Sequence, residues 1–456
     1  MTADHGPRSD ANETRGLLYN SSCKVYTVPV SEAEKKTKNG VRERLRNRPR
    51  LRPKVYGYLT EEKESLRQGF AALFLSSAGE LLAGIVLAGI AGTLDELVGL
   101  AVLIPAAIGM RGAIFGAMGS RLSTSIQTGL FRFDLRRGVL AENFQAAVVL
   151  SLVSGVFLAF LARSACEILN VRTELSVFDY VVISTVGGII AGALLLGITV
   201  LVARLSVARG WDMDNIAAPM LTAAGDILTL PALVLATFLI GIPVFSTILA
   251  AVLVLVAAGA AYLGLRRGVE NLRRILAESF PILALTGAVT ILVGVALQDR
   301  EEQFTTLLAL SILLPAFLQE GGALGGILSS RLSSKVHLGL IAPRGVPELV
   351  AFRDFTLTYI FAAGVYVFIG GASHLLAVAL FPAGSSPGFL TMIGISALAG
   401  LIATTAAVLA AYYGSTVSYR LGLDPDTYGI PIITAAVDLL GFMSLIIALI
   451  VFGLTG

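Results

Sequence analysis

The amino-acid sequence predicts an all-α integral membrane protein of about eleven transmembrane helices, and three observations lead to that fold class. Of its 456 residues, 55% are hydrophobic and only 14% are charged, whereas soluble domains carry roughly 25% charged residues. The mean hydropathy is +0.80. Long apolar segments follow one another from about residue 68 onward, each at or above the ~20 residues that a helix needs to cross a bilayer.

Eleven segments meet this length requirement. The predicted spans cover residues 68–93, 97–127, 141–169, 177–208, 213–241, 243–265, 274–298, 302–336, 349–381, 388–420 and 426–454. With these spans, most of the arginine and lysine residues in the loops fall on the same side of the membrane as the N-terminus. Because basic loops stay in the cytoplasm, we predict a multi-pass protein of the cell membrane with a cytoplasmic N-terminus and a C-terminus outside.

Residues 1–67 read as a polar, largely disordered tail whose stretch from Lys35 to Lys54 is strongly basic. The tail contains no apolar run long enough for a cleavable signal peptide, so we expect the first spanning helix to direct insertion. A polybasic segment beside a membrane span is typical of contact with anionic lipid. Nucleic-acid binding is the alternative, and the lack of interleaved aromatic residues disfavours it.

The sequence contains an internal repeat. The segment from Ile104 to Thr124 recurs from Leu314 to Ser334, and the segment from Asp212 to Asp226 recurs from Asp424 to Asp438. Two matches in the same order indicate a duplicated unit of five spans. An odd number of spans would invert the second copy, and one additional helix between the copies restores its orientation. We therefore predict two parallel repeats related by a pseudo-two-fold axis along the membrane normal.

This prediction divides the chain into four parts. They are the cytoplasmic tail (1–67), a first five-helix repeat (68–242), a linker helix with its cytoplasmic loop (243–273) and a second five-helix repeat (274–456). Because the duplication supplies both halves of a symmetric assembly, we expect that a monomer can function as a pseudo-dimer.

The fifth span of each repeat carries an aspartate deep in the membrane. Asp226 lies twelve residues after Asp214, which is about 18 Å of helix from the cytoplasmic end. Pro219, Thr222 and Asp226 share one helix face, and the proline frees a backbone carbonyl one turn earlier. The second repeat has the same face, formed by Pro431, Thr434 and Asp438.

A carboxylate at this depth costs at least ~2.5–3.5 kcal/mol and needs a partner or a cation. Two facing carboxylates with threonine and carbonyl oxygens form a hard ligand set, which suits Mg²⁺, Mn²⁺ or Ca²⁺. A site with only two carboxylates favours Mg²⁺, which keeps several of its waters. Protonated aspartates that hydrogen-bond within a helix-packing face are the alternative.

Other acidic residues lie near this face. Near the cytoplasmic end, a ring of carboxylates could concentrate cations, and solvated helix N-termini are the alternative interpretation; these carboxylates are Asp212, Asp214, Asp424 and Asp426. Asn215 is a further candidate for the mouth of the path. Glu80 in the first span and Glu320 in the eighth are not duplicated, so they could serve in coupling or in structural hydrogen bonding. Arg111 occupies nearly the repeat position of Glu320, and the two could pair across the axis.

The repeated P-A-x(5)-G…S-R-L-[ST] and D-x-D-x(4)-P-x-x-T-A-A-x-D patterns resemble the membrane domain of MgtE-type magnesium transporters. The duplication with an extra linker helix is similar to the solute carrier family 41 branch. This resemblance implies a cation pore between paired five-helix units, with Mg²⁺ bound by Asp226 and Asp438. It also implies a pore-lining second helix of small residues, at Gly109, Gly112, Gly321 and Gly322.

The sequence departs from the family pattern in two respects. Many family members have Gly-Asn in the second helix where this chain has Gly112-Ala113 and Gly322-Ala323, and the cytoplasmic Mg²⁺-sensing domains of bacterial members are absent from this sequence. Selectivity, coupling and regulation could therefore differ.

Transport of a divalent cation, most simply Mg²⁺, is the function that these observations favour. A Na⁺- or H⁺-coupled Mg²⁺ exchanger is the alternative within transport. An intramembrane enzyme is disfavoured because none of the 3 histidines lies near a carboxylate motif. A scaffold would leave the paired acids unexplained. We expect no cofactor, with Mg²⁺ as the transported ion and membrane lipid as the surrounding partner.

Overall fold

The computed structural model describes residues 63–129, 131, 133–134, 136, 138–209, 213–240, 243–267, 270–337, 339–421 and 430–454, and no strand occurs within these ranges. The basic stretch from Lys35 to Lys54 lies outside them, as does the rest of the predicted tail up to residue 62. The all-α fold class is therefore confirmed for the part of the chain that the structure describes.

The first half of the chain forms five long helices, one short helix and a following linker helix. They are α1 (Lys63–Gly89), α2 (Ala91–Glu96), α3 (Ile104–Gln127), α4 (Val139–Ile168), α5 (Val177–Arg209), α6 (Met213–Thr237) and the linker α7 (Pro243–Arg267). A 3-10 turn at Leu100–Val102 leads into α3, whose second residue is Pro105. Proline fits there because the first turn of a helix leaves its N–H groups unpaired in any case.

The second half repeats this order. Its helices are α8 (Glu270–Gln298), α9 (Glu301–Thr306), α10 (Leu308–His337), α11 (Leu349–Leu380), α12 (Phe389–Leu421) and α13 (Ile430–Val451). Eleven of the described helices are long and apolar enough to cross a membrane, as the sequence predicts, whereas α2 and α9 have only 6 residues each. The protein is thus a multi-pass membrane protein.

The first helix of each repeat packs against the other repeat. Helix α1 lies on α10 and α11, where the Phe70 ring meets the Phe361 ring at 5.0 Å between centroids. Helix α8 correspondingly packs on α3 and α4, and the Phe280 ring lies 5.8 Å from the Phe157 ring. This exchange of first helices joins the two halves, because the first helix of each repeat has packing partners in the other repeat.

Two glycines make the exchange possible. A Cβ atom on Gly84 of α1 would collide with the backbone carbonyl of Ile312, and one on Gly294 of α8 would collide with the backbone carbonyl of Val102. In each repeat, a glycine of the first helix therefore lies against a backbone carbonyl of the other repeat, as expected for two units related by a two-fold axis. Glycine permits the close helix approach on which packing within a membrane depends.

The second and third helices of each repeat are joined by a polar contact near the ends predicted to be cytoplasmic. In the first repeat, Arg121 Nε donates a 2.6 Å hydrogen bond to Asn143 Oδ1. In the second, Asp354 is 1% exposed and accepts bonds of 2.8 and 2.6 Å from Lys335 Nζ. Arg331, the counterpart of Arg121, lies 3.6 Å from Asp354. The acceptor in this contact is thus the neutral Asn143 amide in the first repeat and the Asp354 carboxylate in the second, where the contact is an ion pair.

At the opposite membrane face, the short helices α2 and α9 pack against each other. The Gln298 side chain links the two halves here, since its Oε1 accepts a 2.9 Å bond from the N–H of Gly99 and its Nε2 donates to Glu301. Glu301 is half-buried. Burial of this carboxyl, reinforced by the nearby charge of Asp95 and partly offset by the Gln298 bond, raises the pKa of Glu301 to about 7.

Helix α9 is therefore expected to loosen as the pH rises. An acid whose folded-state pKa lies above its unfolded value of 4.5 stabilises the fold fully below the unfolded pKa, and this contribution is lost as the pH rises to the folded pKa. Hydrogen exchange of residues 299–307 should be faster at about pH 8 than at about pH 5 after correction for intrinsic rates. Glu301→Gln should remove this difference, and Glu302→Gln, the adjacent exposed acid, should retain it. Equal pH dependence in both variants would contradict the assignment to Glu301.

Candidate functional site

The predicted glycine and threonine positions meet where the second and fifth helices of each repeat cross. A Cβ atom on Gly112 of α3 would lie 3.6 Å from Thr222 Cγ2 of α6, and one on Gly322 of α10 would lie 2.7 Å from Thr434 Cγ2 of α13. Each threonine stands four residues before the aspartate of its helix, on the same face. The sequence repeat is therefore also a structural repeat at this crossing.

Gly322→Ala should disturb this crossing more than Gly112→Ala. At 3.6 Å the new methyl group makes an ordinary contact, whereas at 2.7 Å it displaces a β-branched side chain with little rotamer freedom. Overpacking of this kind costs about 1–3 kcal/mol. The midpoint of thermal unfolding of the detergent-solubilised protein should fall clearly for Gly322→Ala and change little for Gly112→Ala. A larger fall for Gly112→Ala than for Gly322→Ala would contradict the tighter contact at Gly322.

The two fifth-helix aspartates lie within electrostatic range of each other. Asp226 is 3% exposed, and Asp438 is partly exposed. Neither carboxyl group forms an ion pair of 4.0 Å or less with a described Lys, Arg or His. The pair therefore places two carboxyl groups, one from each repeat, in the interior of the helical bundle.

The unduplicated acids Glu80 and Glu320 join this pair. Glu80 of α1 is 1% exposed, and it interacts with both Asp226 and Glu320. Neither Glu80 oxygen has a hydrogen-bond partner of good geometry among the described residues, although the Glu80 and Asp226 carboxyl groups lie close together. Helix α1 contacts both repeats, and it thus gathers four acidic side chains, Glu80, Asp226, Glu320 and Asp438, into what we call the acidic cluster.

Glu320 also contacts a serine of α1. The Ser77 hydroxyl lies 2.7 Å from Oε1 of Glu320 and 2.9 Å from the carbonyl oxygen of Leu73. A hydroxyl has one proton to donate. The hydroxyl donates to Glu320 Oε1, with the Leu73 carbonyl as the alternative acceptor within its own helix, so Ser77 ties α1 to the Glu320 side chain of α10.

Among the described residues, the structure shows no ion pair between Arg111 and Glu320, although the sequence suggests one. Arg111 is 2% exposed, and a Cβ atom on Gly188 of α5 would collide with its guanidinium. The side chain thus packs into the space above that glycine, within its own repeat. Its Nε and Nη1 atoms have no hydrogen-bond partner among the described residues.

A tyrosine fills the corresponding space in the second repeat. The offset that aligns Asp226 with Asp438 also aligns Gly188 with Gly400, and the Tyr366 ring packs directly on Gly400. Its hydroxyl lies 3.5 Å from the Cβ position of Gly321, the counterpart of Arg111. Tyr366 is fully buried and interacts with both Glu320 and Asp438. One guanidinium and one phenol therefore occupy equivalent places in the two repeats.

Several predicted site residues cannot be placed. Asp212, Asp424 and Asp426 lie outside the described residues, and only the helical backbone is described for Asp214, Asn215, Pro219 and Pro431. Ser77 and Tyr366 were not predicted from the sequence. Ser77 could have been found, because it stands three residues before Glu80 on the same face of α1. Tyr366 gave no such signal, because its place beside the acids depends on the packing of α11.

A duplicated bundle of membrane helices with acidic side chains gathered in its interior is typical of membrane transport proteins. The chain belongs to the MgtE family of divalent cation transporters, whose family model matches residues 104–236 and 314–448. The two matches cover more than half of the chain. They begin at α3 and α10, so that α1 and α8, the helices exchanged between the repeats, lie outside them.

Members of solute carrier family 41 are similar to this chain. Member 2 from Mus musculus is 24% identical over 370 residues, covering 75% of this chain and 62% of the mouse protein. Member 3 from Rattus norvegicus is 24% identical over 393 residues, covering 81% and 83%. The chain therefore spans less than two thirds of the length of the member 2 relative.

Proposed function

We propose that this protein transports a divalent cation, Mg²⁺ in the first instance, along a path between its two repeats. The observation that carries the proposal is the placement of Asp226 and Asp438, the duplicated acids of the two repeats, in one acidic cluster with Glu80 and Glu320. The description of its family as divalent cation transporters agrees with this assignment. Duplicated carboxylates that lack a basic partner are stabilised when a cation lies between them, because each otherwise repels the other.

The bound ion keeps most of its water in this proposal. Among the described residues, no group of three or more His, Cys, Asp or Glu side chains is placed to hold a metal ion directly. Mg²⁺ characteristically binds through one or two carboxylates and retains several waters. Asp226 and Asp438, with the hydroxyls of Thr222 and Thr434, would then accept hydrogen bonds from these waters, and Gly112, Gly321 and Gly322 would let the second helices approach this face closely.

The remaining predicted residues complete the path. The acids at the start of each fifth helix would raise the local cation concentration; they are Asp212, Asp214, Asp424 and Asp426. The Asn215 side chain and the carbonyls freed by Pro219 and Pro431 would add uncharged oxygen ligands. The path would open to the cytoplasm at this end. A single chain supplies both halves of the path, so a monomer in the cell membrane would suffice.

Coupled exchange is a second candidate, and Glu80 and Glu320 favour it. Both are buried in the acidic cluster, and each has an oxygen without a hydrogen-bond partner among the described residues. A proton or a sodium ion on these two acids would reduce the negative charge at the aspartates. Entry of a divalent cation would then favour release of the monovalent one, which is the exchange that coupling requires.

Flux into liposomes that contain the purified protein and a Mg²⁺-sensitive dye tests both candidates. We expect added Mg²⁺ to enter faster than into protein-free liposomes. A channel should give the same flux without Na⁺ or proton gradients, whereas an exchanger should need one of them and should lose that dependence in Glu80→Gln or Glu320→Gln. If no divalent cation enters above the protein-free rate under any gradient, the proposed function is wrong.

A further inference from the structure

An apolar cavity of about 670 Å³ lies within the first repeat, away from the acidic cluster. It is enclosed by α3, α4, α5 and the linker helix α7. Of its fourteen lining residues, only Ser151 has a polar side chain, and the Ser151 hydroxyl has no hydrogen-bond partner among the described residues. The volume falls within the range of sites that hold small organic ligands, which is about 300–1,000 Å³.

The shape of the cavity fits an acyl chain. Along α5 its lining runs from Gly188 to Val200, which is twelve residues or ~18 Å of helix. One leaflet of the hydrocarbon core is about 15 Å thick. Three lining residues from three helices are exposed at the membrane-facing surface, Val148 at 38%, Ile189 at 42% and Val256 at 50%. A lipid chain can therefore enter sideways from the bilayer.

The second repeat carries larger side chains at the equivalent positions. The offset that aligns Asp226 with Asp438 places Thr404 at the position of Gly192, Leu409 at that of Gly197 and Tyr412 at that of Val200. Tyr366 covers Gly400, the counterpart of Gly188. The glycines that line the cavity of the first repeat thus leave space that these larger residues do not leave at the matching positions.

A positive charge marks one end of the cavity. Arg204 stands four residues after Val200, one turn further along the same face of α5. Its side chain is exposed, and its guanidinium lies 5.7 Å from the centre of the Phe133 ring. The aligned residue in the second repeat is the uncharged Thr416. Arginine is well suited to bind a phosphate.

We propose that this cavity binds one acyl chain of an anionic phospholipid, with the headgroup phosphate at Arg204. The lipid belongs to the leaflet that surrounds the Arg204 end of α5. The bound chain contacts Phe115, which lies three residues from Gly112 on α3. The lipid chain therefore packs against α3, the helix whose Gly112 contacts Thr222.

Photoactivatable lipids in reconstituted membranes test this site without reference to transport. The purified full chain would be placed in vesicles of phosphatidylcholine and phosphatidylglycerol, one of which carries a diazirine within its acyl chain. Mass spectrometry of the peptides would then locate the adducts. We expect phosphatidylglycerol adducts on the cavity-lining parts of α4 and α5, and weaker labelling there by phosphatidylcholine.

Filling the cavity should abolish this labelling. Gly192→Leu places a larger side chain beside Ser151 and Phe115, and Gly259→Leu adds the same volume to α7 at a position where nothing lies within 4 Å. We expect loss of adducts in the first variant and retention in the second. Gly197→Leu also fills the cavity, so it decides the result if Gly192→Leu does not give a monodisperse protein.

The headgroup assignment has its own readout. Arg204→Gln should lower labelling by phosphatidylglycerol to the level of phosphatidylcholine. Equal labelling by both lipids in the unmodified protein would overturn the role of Arg204. Cavity adducts that survive both filling variants, or adducts found only elsewhere on the protein, would overturn the site itself. Failure of cation transport would leave this result unaffected, because no step of the assay depends on flux.

Discussion

Replacing Asp226 or Asp438 with asparagine is expected to reduce Mg²⁺ flux by roughly ten- to a hundredfold, since a hydrogen bond to a charged group contributes about 1.5–3 kcal/mol. Asparagine keeps the shape of the side chain and removes its charge. The double variant should show no flux above protein-free liposomes. The assay is the dye-loaded liposome measurement described above, at a Mg²⁺ concentration that does not saturate the unmodified protein.

Two comparisons make this result specific to the aspartate pair. Asp299→Asn makes the same chemical change at a side chain that is 76% exposed, and it should transport normally. The Asp226 and Asp438 variants should also unfold at the same temperature as the unmodified protein or a higher one, because they remove repulsion within the acidic cluster. Stable variants with normal flux would remove both aspartates from the proposed cation path.

The second large effect is expected from Gly84→Ala and Gly294→Ala. Each added methyl group would meet a backbone carbonyl, that of Ile312 or of Val102, and a backbone cannot move aside as a flexible side chain can. The helices must separate, at a cost of about 1–3 kcal/mol or more for each site. Thermal unfolding and size-exclusion chromatography in detergent should show a lower midpoint and a larger aggregated fraction.

Gly89→Ala is the matched control for this prediction. Gly89 ends α1, the helix that contains Gly84, and a Cβ atom there would have no neighbour within 4 Å. The gain in helix propensity should make this variant neutral or slightly stabilised. Because Gly84 and Gly294 make separate contacts, the two losses of folding stability should add in the double variant. If Gly84→Ala and Gly294→Ala were as stable as Gly89→Ala, α1 and α8 would not make the close contacts described.

A large part of the site follows from the sequence. The aspartates, the threonines before them and the glycines of the second helix occur twice at matching offsets, so their equivalence requires only the alignment of two segments. Arg111 could not be assigned in this way. Its repeat position holds Gly321, and the sequence does not show that Gly188 leaves a space into which the guanidinium turns. Pairing with Glu320 is the expectation from charge, and in the structure the guanidinium lies against Gly188.

The sequence by itself determined the eleven spans and the duplicated order of the helices. Hydrocarbon offers no partner for backbone N–H and C=O groups, so each apolar segment of sufficient length must form a helix that satisfies its own hydrogen bonds. Only the tertiary structure decided that α1 and α8 pack on both repeats, that Glu80 and Glu320 join the two aspartates, and that a cavity remains beside the linker helix. Membrane helices gain little from hydrophobic burial against one another, and they associate through close packing of complementary surfaces. That complementarity depends on pairs of residues far apart in the chain, such as Gly84 with Ile312, which no local pattern relates.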